Sequence, residues 1–192
     1  MKLPKLSVEE LAAVVCDALE RRGLTAVLTG GACVMIYSEG KYVSHDLDFI
    51  VAPQDRLADV EAALAGLGFF AEGRVYVHRE LDMAVDVGCR WPPTVGREIL
   101  KPPAARIVSG RRLRMFSPTD CVKDRLAAFF HWDDRQGLEQ AILVCLAQRV
   151  NVREVGRWSR AEGMELRFLQ FRRELARRRV SARGRLRRGR SG

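Results

Sequence analysis

The stretch LTGGACVMIYSEGKYVSHDLDF, residues 28–49, decides how the chain is read. It passes from a strand-like segment through Gly30-Gly31 and an apolar helical segment to two aspartates, Asp46 and Asp48, in a hydrophobic strand. Strand side chains alternate with period two, so Asp46 and Asp48 project from the same face. Neighbouring carboxylates repel, and the pair is unfavourable unless a cation neutralises it. The two glycines offer backbone N–H groups at a helix start, a ready site for phosphate. A phosphate cradle beside metal-type carboxylates points to nucleotide chemistry.

Outward from this stretch, local signals divide the chain. Ser7 with Glu10 three residues on forms a capping box for a first helix, which Gly23 closes. Strands are expected at 25–31, ending in the glycines, and at 46–52, with a helix at 32–37 between them and an amphipathic helix at 55–65 after them. Further strands read at 74–78 and 82–87. The Pro-rich segment 88–104 reads as an irregular loop, and 106–108 with 112–116 as a hairpin around Ser109-Gly110-Arg111. Ser117-Pro118-Thr119-Asp120 is a helix start, with Ser at the N-cap and Pro at the first helical position. From there the pattern is helical at 118–130, 136–148, 152–162 and 164–179. The fold class expected is α/β (α+β): a small mixed sheet flanked by helices over 1–117, a helical annex over 118–171, and a basic tail over 172–192 expected to be disordered.

Composition bounds the function. A chain of 192 residues forms one domain, or one with a small helical annex. Its apolar runs are too short to span a bilayer, and the N-terminus turns acidic before any apolar core, so neither membrane anchoring nor a signal peptide is expected. Five scattered cysteines without a CxxC pair suggest reduced thiols in a cytoplasmic protein without a zinc site. The net charge of +9 resides from Arg172 onward, where ten arginines meet one acid; the rest is net neutral. That tail either contacts RNA phosphates or is simply solvated.

A third carboxylate stands in AVDVG. Asp86 lies amid apolar strand residues, where a lone carboxylate is expensive to bury. Asp82 shares its face and competes with it. On the helix after Ser117, Lys123, Asp124 and Arg125 are charged positions among apolar neighbours. Arg125 reads equally as a solvated partner of Asp124 or as a ligand. Asp133 and Asp134 read as caps of the next helix, Trp132 and Trp158 as packing residues, and His45 as a loop residue.

Gly30 and Gly31, a fourteen-residue spacer, and Asp46-Leu47-Asp48-Phe49 together resemble the signature of the nucleotidyltransferase superfamily, the fold of DNA polymerase β. The resemblance implies a Mg²⁺-dependent transfer of a nucleoside monophosphate from an NTP to an acceptor hydroxyl. Asp46, Asp48 and Asp86 would hold two Mg²⁺ ions, Gly30, Gly31 and Ser44 would contact the triphosphate, and Lys123 would offset phosphate charge. Residues 5–165 further resemble minimal and abortive-infection-type toxin nucleotidyltransferases. That implies a toxin–antitoxin or phage-defence role, tRNA, other RNA or a protein as acceptor, and an antitoxin partner. The competing reading is a non-catalytic nucleotide- or RNA-binding module, in which Asp86 would lie away from Asp46 and Asp48. A metal-dependent phosphohydrolase is disfavoured, because the three histidines are dispersed.

Overall fold

The computed structural model describes residues 3–53, 56–88, 91–100 and 103–188. After a turn of 3₁₀-helix, α1 (Val8–Arg21) begins at Ser7, whose hydroxyl accepts the Glu10 N–H while the Glu10 carboxylate accepts the Ser7 N–H. Two orphan N–H groups are thereby satisfied. β1 (Thr25–Thr29) leads directly into α2 (Gly30–Tyr37), and β2 (Asp46–Ala52) returns antiparallel to β1. α3 (Leu57–Ala65) precedes β3 (Phe69–Glu72), β4 (Val75–His78) and β5 (Ala84–Gly88). A small hairpin, β6 (Thr94–Val95) and β7 (Glu98–Ile99), comes before β8 (Ala104–Val108) and β9 (Arg111–Met115).

Seven strands form one mixed sheet in the order β3-β4-β5-β2-β1-β9-β8. β2 runs antiparallel to β1 and parallel to β5, and β9 runs parallel to β1. Along β2, Leu47, Phe49 and Val51 are buried, while Asp46, Asp48 and Ile50 on the opposite face are exposed or half-buried. One face is thus core and the other carries the polar chemistry, as an alternating strand dictates.

The annex comprises α4 (Pro118–Trp132), α5 (Arg135–Ala147), α6 (Val152–Ala161) and α7 (Glu165–Arg188). Ser117 caps α4 by accepting the Asp120 N–H at 3.1 Å, and Asp134 caps α5 by accepting the Gln136 N–H at 2.9 Å. α5 and α6 pack on α4, and α7 packs on α5 and α6. Trp158 is fully buried, stacked on Phe130 at 5.5 Å, and its indole N–H donates to the Val95 carbonyl at 3.1 Å. That bond ties the annex to the small hairpin. The Tyr37 hydroxyl ties α2 to the sheet by donating to the Phe116 carbonyl at 2.6 Å.

Three expectations are corrected. The segment 88–104 contains the hairpin β6–β7, whose Val95 carbonyl accepts from the Trp158 indole N–H, rather than forming a wholly irregular loop. The helix expected over 164–179 continues as α7 to Arg188, so the start of the basic tail is helical instead of disordered. Phe171 and Leu175 are buried and anchor its start, and Arg178 pairs with Glu174 and Glu139. Residues 189–192 of the expected tail lie outside the described residues. Trp132 is 77% exposed at the end of α4 and packs into no core.

Candidate active site

The site is built on β2 and β5. In their parallel register Asp48 stands opposite Asp86, with Asp46 two residues earlier on the same face of β2. The structure therefore brings the three sequence-designated carboxylates together. Asp82 is left outside: it lies before β5, its side chain fully in solvent and 3.9 Å from the exposed His45 imidazole.

The glycines explain how a carboxylate fits beside a helix start. Gly30 has φ +64° and is the first residue of α2. A Cβ at this position would collide with the Asp48 carboxylate, so both the left-handed backbone and the close approach require glycine. A Cβ on Gly31 would come within 2.5 Å of the Ser44 hydroxyl. That hydroxyl donates to Asp46 at 2.8 Å and fixes its orientation. Ser44 is thus in the site and directed at a carboxylate. The Gly31 N–H is directed at Asp48.

Electrostatics reveal what this arrangement lacks. Burial pushes the Asp48 carboxyl up, and the Asp46 carboxylate pushes it further. The Arg125 guanidinium pulls it back, Asp86 raises it again, and the Gly31 N–H lowers it, leaving a value of about 6. A half-buried aspartate crowded by two others is a site short of positive charge. Among the described residues no three His, Cys, Asp or Glu side chains are already converged into a metal cage. Asp46 is instead drawn to the Ser44 hydroxyl. The donor set nevertheless fits Mg²⁺, a hard cation that takes carboxylate oxygens and retains water.

No protein-family model matches the chain, and no curated protein does. Among solved structures, an antigenic nucleotidyltransferase-like protein from Paracoccidioides brasiliensis superposes with a TM-score of 0.58 at 14% identity, over 71% of this chain and 74% of that one. The chain has a nucleotidyltransferase-like fold. The antibiotic-resistance factor ANT(2'')-Ia is a looser match, with a TM-score of 0.49 at 18% identity over 92% of this chain and 97% of that one. A second structure of it, in complex with adenylyl-2''-tobramycin, gives 0.46 at 20% identity over 87% and 97%.

Within this nucleotidyltransferase-like frame, Lys123 does not do what its sequence position suggested. Its side chain is 3% exposed, and its ammonium donates to Glu98 on β7 at 2.6 Å and Glu154 on α6 at 3.0 Å, with Asp120 at 3.8 Å. Burial opposes its charge, but its hydrogen bonds to Glu98 and Glu154 outweigh burial and raise its pKa. Arg157 joins both glutamates. This cluster lines a polar cavity of about 610 Å³ with Ser117, Thr119 and Asn151. Lys123 is therefore neutralised by protein carboxylates, which corrects its expected role in offsetting phosphate charge. The cation that reaches Asp48 electrostatically is Arg125, which also holds Asp124 through its Nε at 2.9 Å and Gln140 at 3.4 Å. The sequence signal for it was a charged position among the apolar neighbours of α4. Of the cysteines, Cys16, Cys33, Cys121 and Cys145 are buried and unbridged, and Cys89 lies outside the described residues. Among the described residues no helix is long and apolar enough to cross a membrane.

Proposed function

We propose that the protein is a Mg²⁺-dependent nucleotidyltransferase that moves a nucleoside monophosphate from an NTP to an acceptor hydroxyl. The observation that carries this reading is the register of Asp48 against Asp86, beside a helix start that only glycine permits. The acceptor oxygen forms a bond to the α-phosphorus, the bond from that phosphorus to the pyrophosphate oxygen breaks, and the hydroxyl proton is lost.

Asp46, Asp48 and Asp86 are the residues that would hold two metal ions. Bound there, Mg²⁺ would lower the pKa of the acceptor hydroxyl and neutralise the departing pyrophosphate. The chain's own residues position. Ser44 holds Asp46, and the Gly31 N–H holds Asp48. The absence of side chains at Gly30 and Gly31 admits the Asp48 carboxylate and the Ser44 hydroxyl against the helix start, whose N–H groups would face the triphosphate. Arg125 supplies a positive charge behind Asp48. Such positioning and charge placement dominate phosphoryl and nucleotidyl transfer.

The acceptor class proposed is RNA, tRNA included, or a protein, in a toxin–antitoxin or phage-defence setting with an antitoxin partner. This finer reading rests on the sequence resemblance of 5–165. The test is incubation of the full chain with each α-labelled NTP, Mg²⁺, and separately total RNA or cell protein. Label should pass from one NTP to one acceptor class and should vanish on chelation with EDTA. Absence of transfer from all four NTPs to either pool would favour the non-catalytic nucleotide-binding module instead.

A further inference from the structure

A furrow separates α6 from α7 on the annex. One half, about 650 Å³, is bordered by Arg153 and Arg160 of α6 and by Arg172 of α7; the other, about 350 Å³, by Arg172 and Arg179 of α7. Val152 and Arg172 belong to both halves, so the furrow is continuous. We infer that this furrow is a binding site for single-stranded nucleic acid.

Three observations carry the inference. The first is charge: four arginines border the furrow against one acid, Glu165. Arg153, Arg160 and Arg172 are exposed and, among the described residues, have no acidic partner. Neighbouring arginines are already satisfied: Arg157, on the same helix, is held by Glu98 and Glu154, and Arg178 by Glu139 and Glu174. Arg153, Arg160 and Arg172 thus bring three guanidinium groups without an acidic partner to the furrow, while Arg179 donates to the Cys145 carbonyl at 3.4 Å.

The second is spacing. Arg153 and Arg160 are seven residues apart on α6, as are Arg172 and Arg179 on α7. Seven residues are two helical turns, about 10.5 Å along each axis, so each wall carries its cations in a row on one side. Two rows of cations flanking a channel match a charged backbone threaded between them better than a compact anion.

The third is the apolar lining. Phe168, half-buried, and Leu169, 44% exposed, both line the wider half. Gly156 permits this, because a Cβ there would come within 2.9 Å of the Phe168 ring. Guanidinium groups beside aromatic and apolar lining can take phosphates on the former and base faces on the latter, the combination that binds single strands without sequence preference. The inference does not rest on the proposed transfer reaction and holds whether or not the chain is an enzyme.

The test is fluorescence anisotropy of the full chain with a labelled twelve-nucleotide RNA and the same sequence in DNA, across a salt series, alongside sedimentation with phosphatidylserine vesicles. The wild type should bind the oligonucleotides with salt-dependent affinity. R153Q/R160Q should weaken binding roughly tenfold or more at low salt and flatten the log Kd against log salt slope by about 1.4, the value for two lost single-strand phosphate contacts. R172Q, on the other wall, should flatten it by about 0.7. All three arginines are exposed, and matching thermal unfolding curves would verify that the fold is intact. RNA and DNA binding alike support the site. Absent oligonucleotide binding, affinity and slope unchanged in both variants, or vesicle binding alone would each overturn it.

Discussion

The sheet and the annex each carry a charge cluster, and the two are built on opposite plans. On the sheet, Asp46, Asp48 and Asp86 stand together with one nearby guanidinium, and Asp48 is pushed up to about 6. On the annex, Lys123 and Arg157 meet Glu98 and Glu154. The hydrogen bonds from Arg157 and Lys123 draw Glu154 down to about 2, and Glu98 is lowered as well. The annex cluster pairs two cations with Glu98, Glu154 and, at 3.8 Å, Asp120, and works as a clasp joining β7, α4 and α6. The sheet cluster sets three carboxylates against one guanidinium and is left short of positive charge. A cluster that stabilises the fold and a cluster kept at a cost to the fold are thus distinguishable from charge balance alone.

Substitutions at the two clusters should therefore separate stability from activity. Asp48→Asn removes a charge that burial and its neighbours disfavour. Nucleotide transfer should fall by roughly 100-fold or more, since several kcal/mol of transition-state stabilisation depend on the metal ligands. The melting temperature should stay level or rise, measured by calorimetry. A clear loss of stability would mean that Asp48 is structural.

Lys123→Met should do the reverse. It leaves Glu98 and Glu154 with Arg157 alone and should cost roughly 2–4 kcal/mol, below the full value for a buried pair because both glutamates are partly in water. Transfer per folded molecule should stay within about threefold of wild type. A large loss in the folded variant would return Lys123 to the phosphate site and break the contrast.

Acidification supplies a third separation. Glu98 and Glu154 have depressed folded-state pKa values, so their contribution is present above the ordinary glutamate value of 4.5 and is lost as pH falls from there towards about 2. Asp48 is raised above its ordinary 3.8, so its contribution runs the other way: stability falls as pH rises through about 6. Asp48→Asn should therefore flatten the stability profile between about pH 4 and 6 and leave the loss below about 4.5 unchanged. At the small end, Arg178→Gln removes exposed pairs with Glu139 and Glu174 and should change stability by no more than about 0.5 kcal/mol.

The sheet cluster was legible in the sequence because its parts are local. Period two fixes Asp46 and Asp48 on one face, and Gly30-Gly31 marks a helix start that other groups can approach closely. Asp86 was legible because an aspartate amid Ala84, Val85 and Val87 calls for a partner. The annex cluster was not legible, because Lys123 meets Glu98 and Glu154, 25 and 31 residues distant in the chain, and helix periodicity says nothing about which distant acids arrive. β3 was missed because three of its four residues are exposed, so no alternation marks it. β6 and β7 were missed because two-residue strands carry no pattern. The continuation of α7 from Val180 to Arg188 was missed because that stretch has few apolar residues, a glycine and several arginines.

The most direct test of the central claim is a Mg²⁺ titration of thermal unfolding at neutral pH, with a non-hydrolysable NTP analogue, for the wild type and Asp48→Asn. If the three carboxylates form the metal site, Mg²⁺ raises the wild-type melting temperature progressively, and the rise disappears in Asp48→Asn. An equal rise in both proteins, or none in the wild type, would contradict it.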